Sequence, residues 1–179
     1  MKEIIYNESN IKEEEVHEWV KRAKVLVVNS KDEILIGHTI DNYYFLGGHV
    51  DGDESDYECL VREIREEAGV DYDPKIDKPF MSIKYLFKDY PEVGINKGYI
   101  ANYYVIYDDL VPNPDNVNLT ELENSKKFRL LYIHKDRILD EVRPYLDICE
   151  KKMVVRDTLD VLEEYLSKWL FHLFITLVS

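Results

Sequence analysis

Three glutamates carry the chemistry that this 179-residue chain announces most clearly: Glu63, Glu66 and Glu67, spaced three and four residues apart in the stretch DYECLVREIREEAG. On a helix these spacings bring the carboxylates onto neighbouring positions within about 100° of arc. Like charges so placed repel by about 0.2–0.5 kcal/mol per pair. The end of a helix, with its free carbonyls, is also a poor place for negative charge. A divalent cation removes both costs. Hard cations such as Mg2+ and Mn2+ take carboxylate, carbonyl and water oxygens, and they neutralise a phosphate chain while polarising the phosphorus under attack. The plainer readings are a solvated acidic face or a partner-binding surface.

The elements that must position these groups are legible on either side. Ser55 and Glu58 have capping-box spacing, and Gly69 supplies a left-handed stop, which predicts a helix over Asp56–Ala68. Tyr57, Leu60, Val61, Ile64 and Ala68 gather on one side of that helix as its core-facing stripe. Ahead of it, Gly47, Gly48 and Gly52 permit a compact path that brings backbone close to bound oxygen atoms.

This order of glycine loop, capped helix and three-carboxylate face resembles the Nudix box, G-x5-E-x7-REUxEExGU with U a bulky apolar residue. Gly48, Glu54, Arg62-Glu63-Ile64, Glu66-Glu67 and Gly69-Val70 meet its defined positions across 23 residues. The resemblance implies a Nudix-like α/β/α sandwich on a mixed β-sheet. It also implies hydrolysis of a nucleoside diphosphate linked to another moiety, by water attacking phosphorus with Mg2+ or Mn2+ present. Glu63, Glu66 and Glu67 take the family's metal-binding positions, and Gly48 offers its backbone carbonyl. Arg62 stands where the family arginine holds the box carboxylates, and Glu54 steadies the junction of loop and helix. The general base is either Glu63 or a carboxylate outside the box, for which Glu121 and Glu123 are the candidates, as base or extra ligand. His49, next to Gly48, is a candidate phosphate contact, and Tyr85 a candidate substrate contact. Lys84, Lys88 and Lys97 could meet distal phosphates.

The remaining elements follow from periodicity. Residues 11–22 fit a short amphipathic helix, and residues 1–10 give little signal. Strands are expected over 23–28, 33–37, 80–87, 99–107 and 128–133, with a helix from Lys135 that stops by Pro144 and a final amphipathic helix over 155–170. Together these read as an α/β fold: one domain over residues 1–179, with 1–20 an N-terminal extension and 145–179 a C-terminal helical appendage. Trp169 to Ser179 is strongly apolar, but its 11 residues fall short of the roughly 20 that cross a bilayer. A packed tail is expected there, with a homodimer contact or membrane association as alternatives.

With 36 acidic against 23 basic side chains, the formal charge of −13 opposes general attraction to phosphate backbones, so double-stranded nucleic acid is not an expected partner. Two cysteines, Cys59 and Cys149, and five scattered histidines form no zinc-ligand spacing. Reduced thiols and the lack of a signal-like N-terminus fit a cytoplasmic protein. The expected partner is a small nucleotide. A noncatalytic nucleotide sensor and an RNA-end pyrophosphohydrolase are the competing functions.

Overall fold

In the computed structural model, which describes residues 1–150 and 152–178, the acidic helix α1 runs over Asp56–Ala68 as its end signals predict. Ser55 accepts from the Glu58 amide, Glu58 reaches back to the Ser55 amide, and Gly69 closes the helix at φ 68°. The chain divides into two compact units. One holds Met1–Val27 and Leu46–Asn118, the other Val28–Phe45 and Leu119–Ser179.

The first unit carries α1 and a mixed sheet. Its strands are β1 (Lys2–Tyr6), β2 (Glu18–Val28), β5 (Met81–Phe87) and β6 (Lys97–Tyr107), in the order β1-β5-β6-β2. β1 lies parallel to β5, with Tyr6 opposite Tyr85, while β5 and β6 are antiparallel, with Tyr85 opposite Tyr99. Ala23, Val25, Leu60, Ile64, Met81, Ile83 and Tyr103 are buried in its core. Asp56 ties the first turn of α1 to the sheet, its Oδ2 accepting from Tyr104 Oη at 2.7 Å and from Asn102 Nδ2 at 2.8 Å.

In the second unit, β3 (Glu33–His38) pairs antiparallel with both β4 (Tyr43–Tyr44) and β7 (Arg129–His134). The helices α2 (Glu121–Ser125), α3 (Lys135–Val142), α4 (Tyr145–Ile148) and α5 (Lys152–Val178) complete it. Ile34, Ile36, Ile138, Val142, Val155 and Leu162 supply buried apolar surface. The expected fold class holds, a mixed β-sheet flanked by helices with a C-terminal helical extension.

Three expectations need correction. Residues 11–22 are not a helix: only Glu13–Glu15 makes a 3-10 turn, and β2 begins at Glu18. Trp19 explains the change, because its ring fills the space over Gly98 on β6, where a Cβ would come within 2.5 Å of it. Residues 2–6, which lack local periodicity, form a strand because β5 supplies the pairing. On α1, Tyr57 is 43% exposed and donates to Asp73, while Cys59 and Glu67 occupy the inner face beside Leu60, Ile64 and Ala68.

The backbone of α5 extends through Val178, beyond the predicted 155–170. Packing of the apolar tail from Trp169 lies outside the described side chains. Among the described residues, no helix is long and apolar enough to cross a membrane.

Candidate active site

The glycine loop is zipped to β2 before it reaches α1. Leu46 O accepts from Val25 N at 2.9 Å, Gly48 O from Ala23 N at 3.1 Å, and Lys21 O from Val50 N at 3.0 Å. Gly47 adopts φ 116°, and a Cβ there would lie 2.2 Å from Ala23 O, so only glycine fits this close approach. At Gly48 the neighbour is a glutamate of α1: a Cβ would sit 2.0 Å from Glu63 Oε1. Glycine here lets the Glu63 carboxylate lie against the loop backbone. The Gly48 carbonyl, named as a metal contact, accepts the Ala23 amide at 3.1 Å and a longer contact from Cys59 Sγ at 3.8 Å.

Arg62 gathers the box. Its Nε and Nη2 bind the two Glu54 oxygens at 2.8 and 3.0 Å. Nη1 meets Glu63 Oε1 at 2.8 Å and Glu66 Oε2 at 3.3 Å, and Nη2 also donates to His49 O at 2.9 Å. One guanidinium nitrogen therefore holds Glu63 and Glu66 within hydrogen-bond distance of a common point. Glu54 closes the junction as well, accepting from Asp51 N at 3.0 Å. Hydrogen bonding to Arg62 draws the Glu54 carboxyl below its ordinary range. Glu63 moves the other way, because burial outweighs the same guanidinium and raises its pKa.

Glu67 stands apart from this group. It is 4% exposed and takes the Gly47 amide on Oε2 at 2.9 Å. On the other side of that glycine, Lys24 Nζ donates to Gly47 O. Burial pulls the Lys24 ammonium below its ordinary pKa, opposed chiefly by the nearby Glu67 charge. Lys24 was not singled out by the sequence, since a lysine within a strand looks like any surface lysine until the loop folds over it.

The helix end beyond the glutamates is finished by a distant segment. Ala68 O and Glu66 O accept from Asn113 N and Asn118 N, both at 2.8 Å, and Gly69 O accepts from Asn116 Nδ2 at 2.9 Å. A cavity of about 370 Å³ opens between this segment and the helix, bounded by Arg62, Glu66, Asp115 and Asn118. None of the residues 113–118 carried a sequence signal for the site.

Most of the other named candidates have partners of their own. Glu121 and Glu123 belong to α2 in the second unit, where the Glu123 carboxylate caps its own helix through Thr120 N at 2.7 Å. Tyr85 is buried and its ring stacks on Tyr6 at 4.8 Å, so little of it faces a ligand. Lys84 is ion-paired with Glu3 and Glu13, and Lys97 with Glu18.

Whether these residues fit a divalent cation divides into two parts. The donor chemistry fits: carboxylate oxygens of Glu63 and Glu66 meet the same Arg62 nitrogen, and the Glu63 carboxyl group lies against Gly48, all hard ligands, with Arg62 balancing their charge. A three-carboxylate cage is not formed, because Glu67 turns to the Gly47 amide. Among the described residues, no group of three or more His, Cys, Asp or Glu side chains is set to hold a metal ion.

The NUDIX domain family model matches residues 16–135, and the chain belongs to that family. The solution structure of the E. coli ORF135 protein aligns with a TM-score of 0.53 at 15% identity, over 84% of this chain and 90% of that one. The crystal structure of the MutT protein from Methanosarcina mazei Go1 gives a TM-score of 0.49 at 19% identity, covering 83% and 95% of the two chains. At these identities the first likeness speaks for the fold alone. No curated protein sequence matches this one.

Proposed function

We propose that this protein is a divalent-metal-dependent hydrolase that cleaves the pyrophosphate linkage of a nucleoside diphosphate joined to another moiety, by attack of water on phosphorus. The observation that carries the reading is the Arg62 network, which holds Glu63 and Glu66 on one guanidinium nitrogen, with Glu63 lying against Gly48. Membership in the NUDIX domain family supports it.

In this reading Glu63, Glu66 and Glu67, with the Gly48 carbonyl, hold Mg2+ or Mn2+. When bound, the cation neutralises phosphate oxygens and makes a water more acidic. Arg62 keeps two of the carboxylates from separating, and Glu54 keeps Arg62 in place. Glu63, whose pKa burial raises, is the group suited to take the proton from the attacking water. Glu67 needs only to leave the Gly47 amide, or to share an oxygen with it, to join the set.

The test is a panel of nucleoside triphosphates, nucleotide sugars, ADP-ribose, dinucleoside polyphosphates and 5′-triphosphorylated RNA, assayed with each metal in 18O-labelled water. The reading expects cleavage of a P–O–P bridge, with label entering one phosphate product. Tight nucleotide binding with no turnover of any substrate rejects it in favour of a sensor.

A further inference from the structure

Lys24 has no task in the chemistry proposed above, yet it lies against the loop which that chemistry needs. On β2 it stands between Ala23 and Val25, whose amides donate to Gly48 O and Leu46 O. This double tie lays Gly47 directly over it: a Cβ on Gly47 would come within 2.9 Å of Lys24 Cα. The Lys24 ammonium donates to Gly47 O, while the Gly47 amide donates to Glu67 Oε2 at 2.9 Å. An ammonium and a carboxylate thus clasp the same glycine from its two ends. Arg22, two residues earlier on the strand, is turned instead to His49, with Nη2 3.3 Å from His49 Nε2 and its backbone bridged to the same residue.

The acidic groups divide between two cations. Arg62 pairs with Glu54, Glu63 and Glu66. Lys24 lies within electrostatic reach of Glu67 above all, and also of Glu63. Glu67 is 4% exposed, and a carboxylate so enclosed is costly to keep ionised without an opposite charge. Lys24 supplies that charge from within the fold, as a compact ammonium that Gly47 O holds in place. The same charge has a second effect. A divalent cation drawn to Glu67 comes within range of the ammonium, and like charges close together in a poorly hydrated site repel far more than they do in water.

We propose that Lys24 is a positioning residue, the tethered counter-ion of Glu67: it holds that carboxylate at the glycine loop while no metal is bound, and it lowers the affinity of the site for Mg2+ or Mn2+. The proposal rests on the metal-site reading above and adds to it a competitor built into the chain. It accounts for the place of Glu67 against Gly47, apart from the pair that Arg62 holds, since the ammonium and the Gly47 amide draw the carboxylate to the same spot. Lys24 and a metal ion are then alternatives for one carboxylate. Removing the ammonium should weaken the metal-free fold and favour the metal-bound one.

The test is titration with Mn2+ alone, no nucleotide being present, read by electron paramagnetic resonance of the free ion. Wild type is compared with Lys24→Met, which keeps the apolar stem, and with Lys24→Gln, which can still donate to Gly47 O without the charge. Both variants should bind Mn2+ about tenfold or more tightly than wild type, the scale of removing one like charge from a partly dehydrated site. In EDTA both should melt below wild type, and saturating Mn2+ should raise their melting temperatures by more than it raises that of wild type. A lysine that merely braces the loop would lower the melting temperature and leave Mn2+ affinity unchanged or weaker. If Lys24→Met does not fold, Lys24→Gln decides alone. Affinity in Lys24→Gln within twofold of wild type, or below it, overturns the proposal, as does a lack of Mn2+ binding by every protein tested. Tighter Mn2+ binding by the variants of a protein that hydrolyses nothing upholds the role of Lys24 and rejects the hydrolase reading alone.

Discussion

The backbone amide of Gly47 donates to Glu67 Oε2 at 2.9 Å, so a glutamate of the helix and a glycine of the loop hold each other in place. Structure and proposed ligation thus draw on one carboxylate, and substitutions can separate the two roles. Glutamine at 67 can still present a carbonyl oxygen to Gly47. Glu67→Gln should therefore melt near wild type while losing about a hundredfold or more in turnover, the scale of removing one electrostatic stabiliser. Glu67→Ala should also lose about 1–3 kcal/mol of stability by leaving that amide unsatisfied. Equal turnover in Glu67→Gln and wild type would exclude Glu67 from the metal set.

Gly47 and Gly48 should fail in different ways when changed to alanine. At Gly47 the added methyl meets Ala23 backbone and φ 116° is hostile to any side chain, so the loop itself must move. Gly47→Ala should lower the melting temperature markedly. At Gly48 the three atoms nearest the methyl all belong to the Glu63 carboxyl group, the end of a flexible side chain. Gly48→Ala should fold with little loss and bind Mn2+ poorly, as read by electron paramagnetic resonance of the free ion.

The raised pKa of Glu63 has a stability consequence with a definite sign. A carboxyl that protonates more readily when folded weakens the fold above its folded pKa, and the penalty fades as pH falls toward its unfolded value. In EDTA, Glu63→Gln should melt above wild type at pH 7. The gap should close as pH is lowered through the folded pKa toward about 4, near the ordinary carboxyl value. A constant gap across that range would show that burial of the charge is not its source.

Cys59 should be inert. Its thiol is buried, donates to His49 O, and is pushed up to about 11 chiefly by desolvation, with the Glu63 charge adding to it. At pH 8 only about one thiol in a thousand is ionised at such a pKa, and the thiolate is the reactive form. Iodoacetamide should label Cys59 slowly in the folded protein and rapidly in urea, as followed by peptide mass. Rapid labelling of native protein would contradict the burial.

The sequence revealed what depends on neighbours in the chain. Ser55, Glu58 and Gly69 set both ends of α1, and the spacing of Arg62, Glu63 and Glu66 placed them together because all lie on two turns of one helix. It was silent where the decisive partner is remote. Lys2–Tyr6 is a strand only because Met81–Phe87 lies beside it. Glu67 is named among the metal ligands, but its bond to the Gly47 amide is not foreseen, and Lys24 and Arg22 gain meaning only once residues 46–50 fold back along β2. Tyr57 was misplaced for the related reason that apolar periodicity cannot foresee a hydrogen bond to Asp73.

The amides of Asn113 and Asn118 that complete the end of α1 come from far along the chain. A growing polypeptide that has emerged only as far as Val70 already contains the glycine loop and all of α1, yet the carbonyl end of that helix is unfinished. The cavity beside Glu66 has no second wall until residues 115–118 arrive. Contacts of such sequence separation form late, after loop closure has been paid for. The order of synthesis thus leaves this helix end open until the surrounding sheet of the first unit, through β6, has been made.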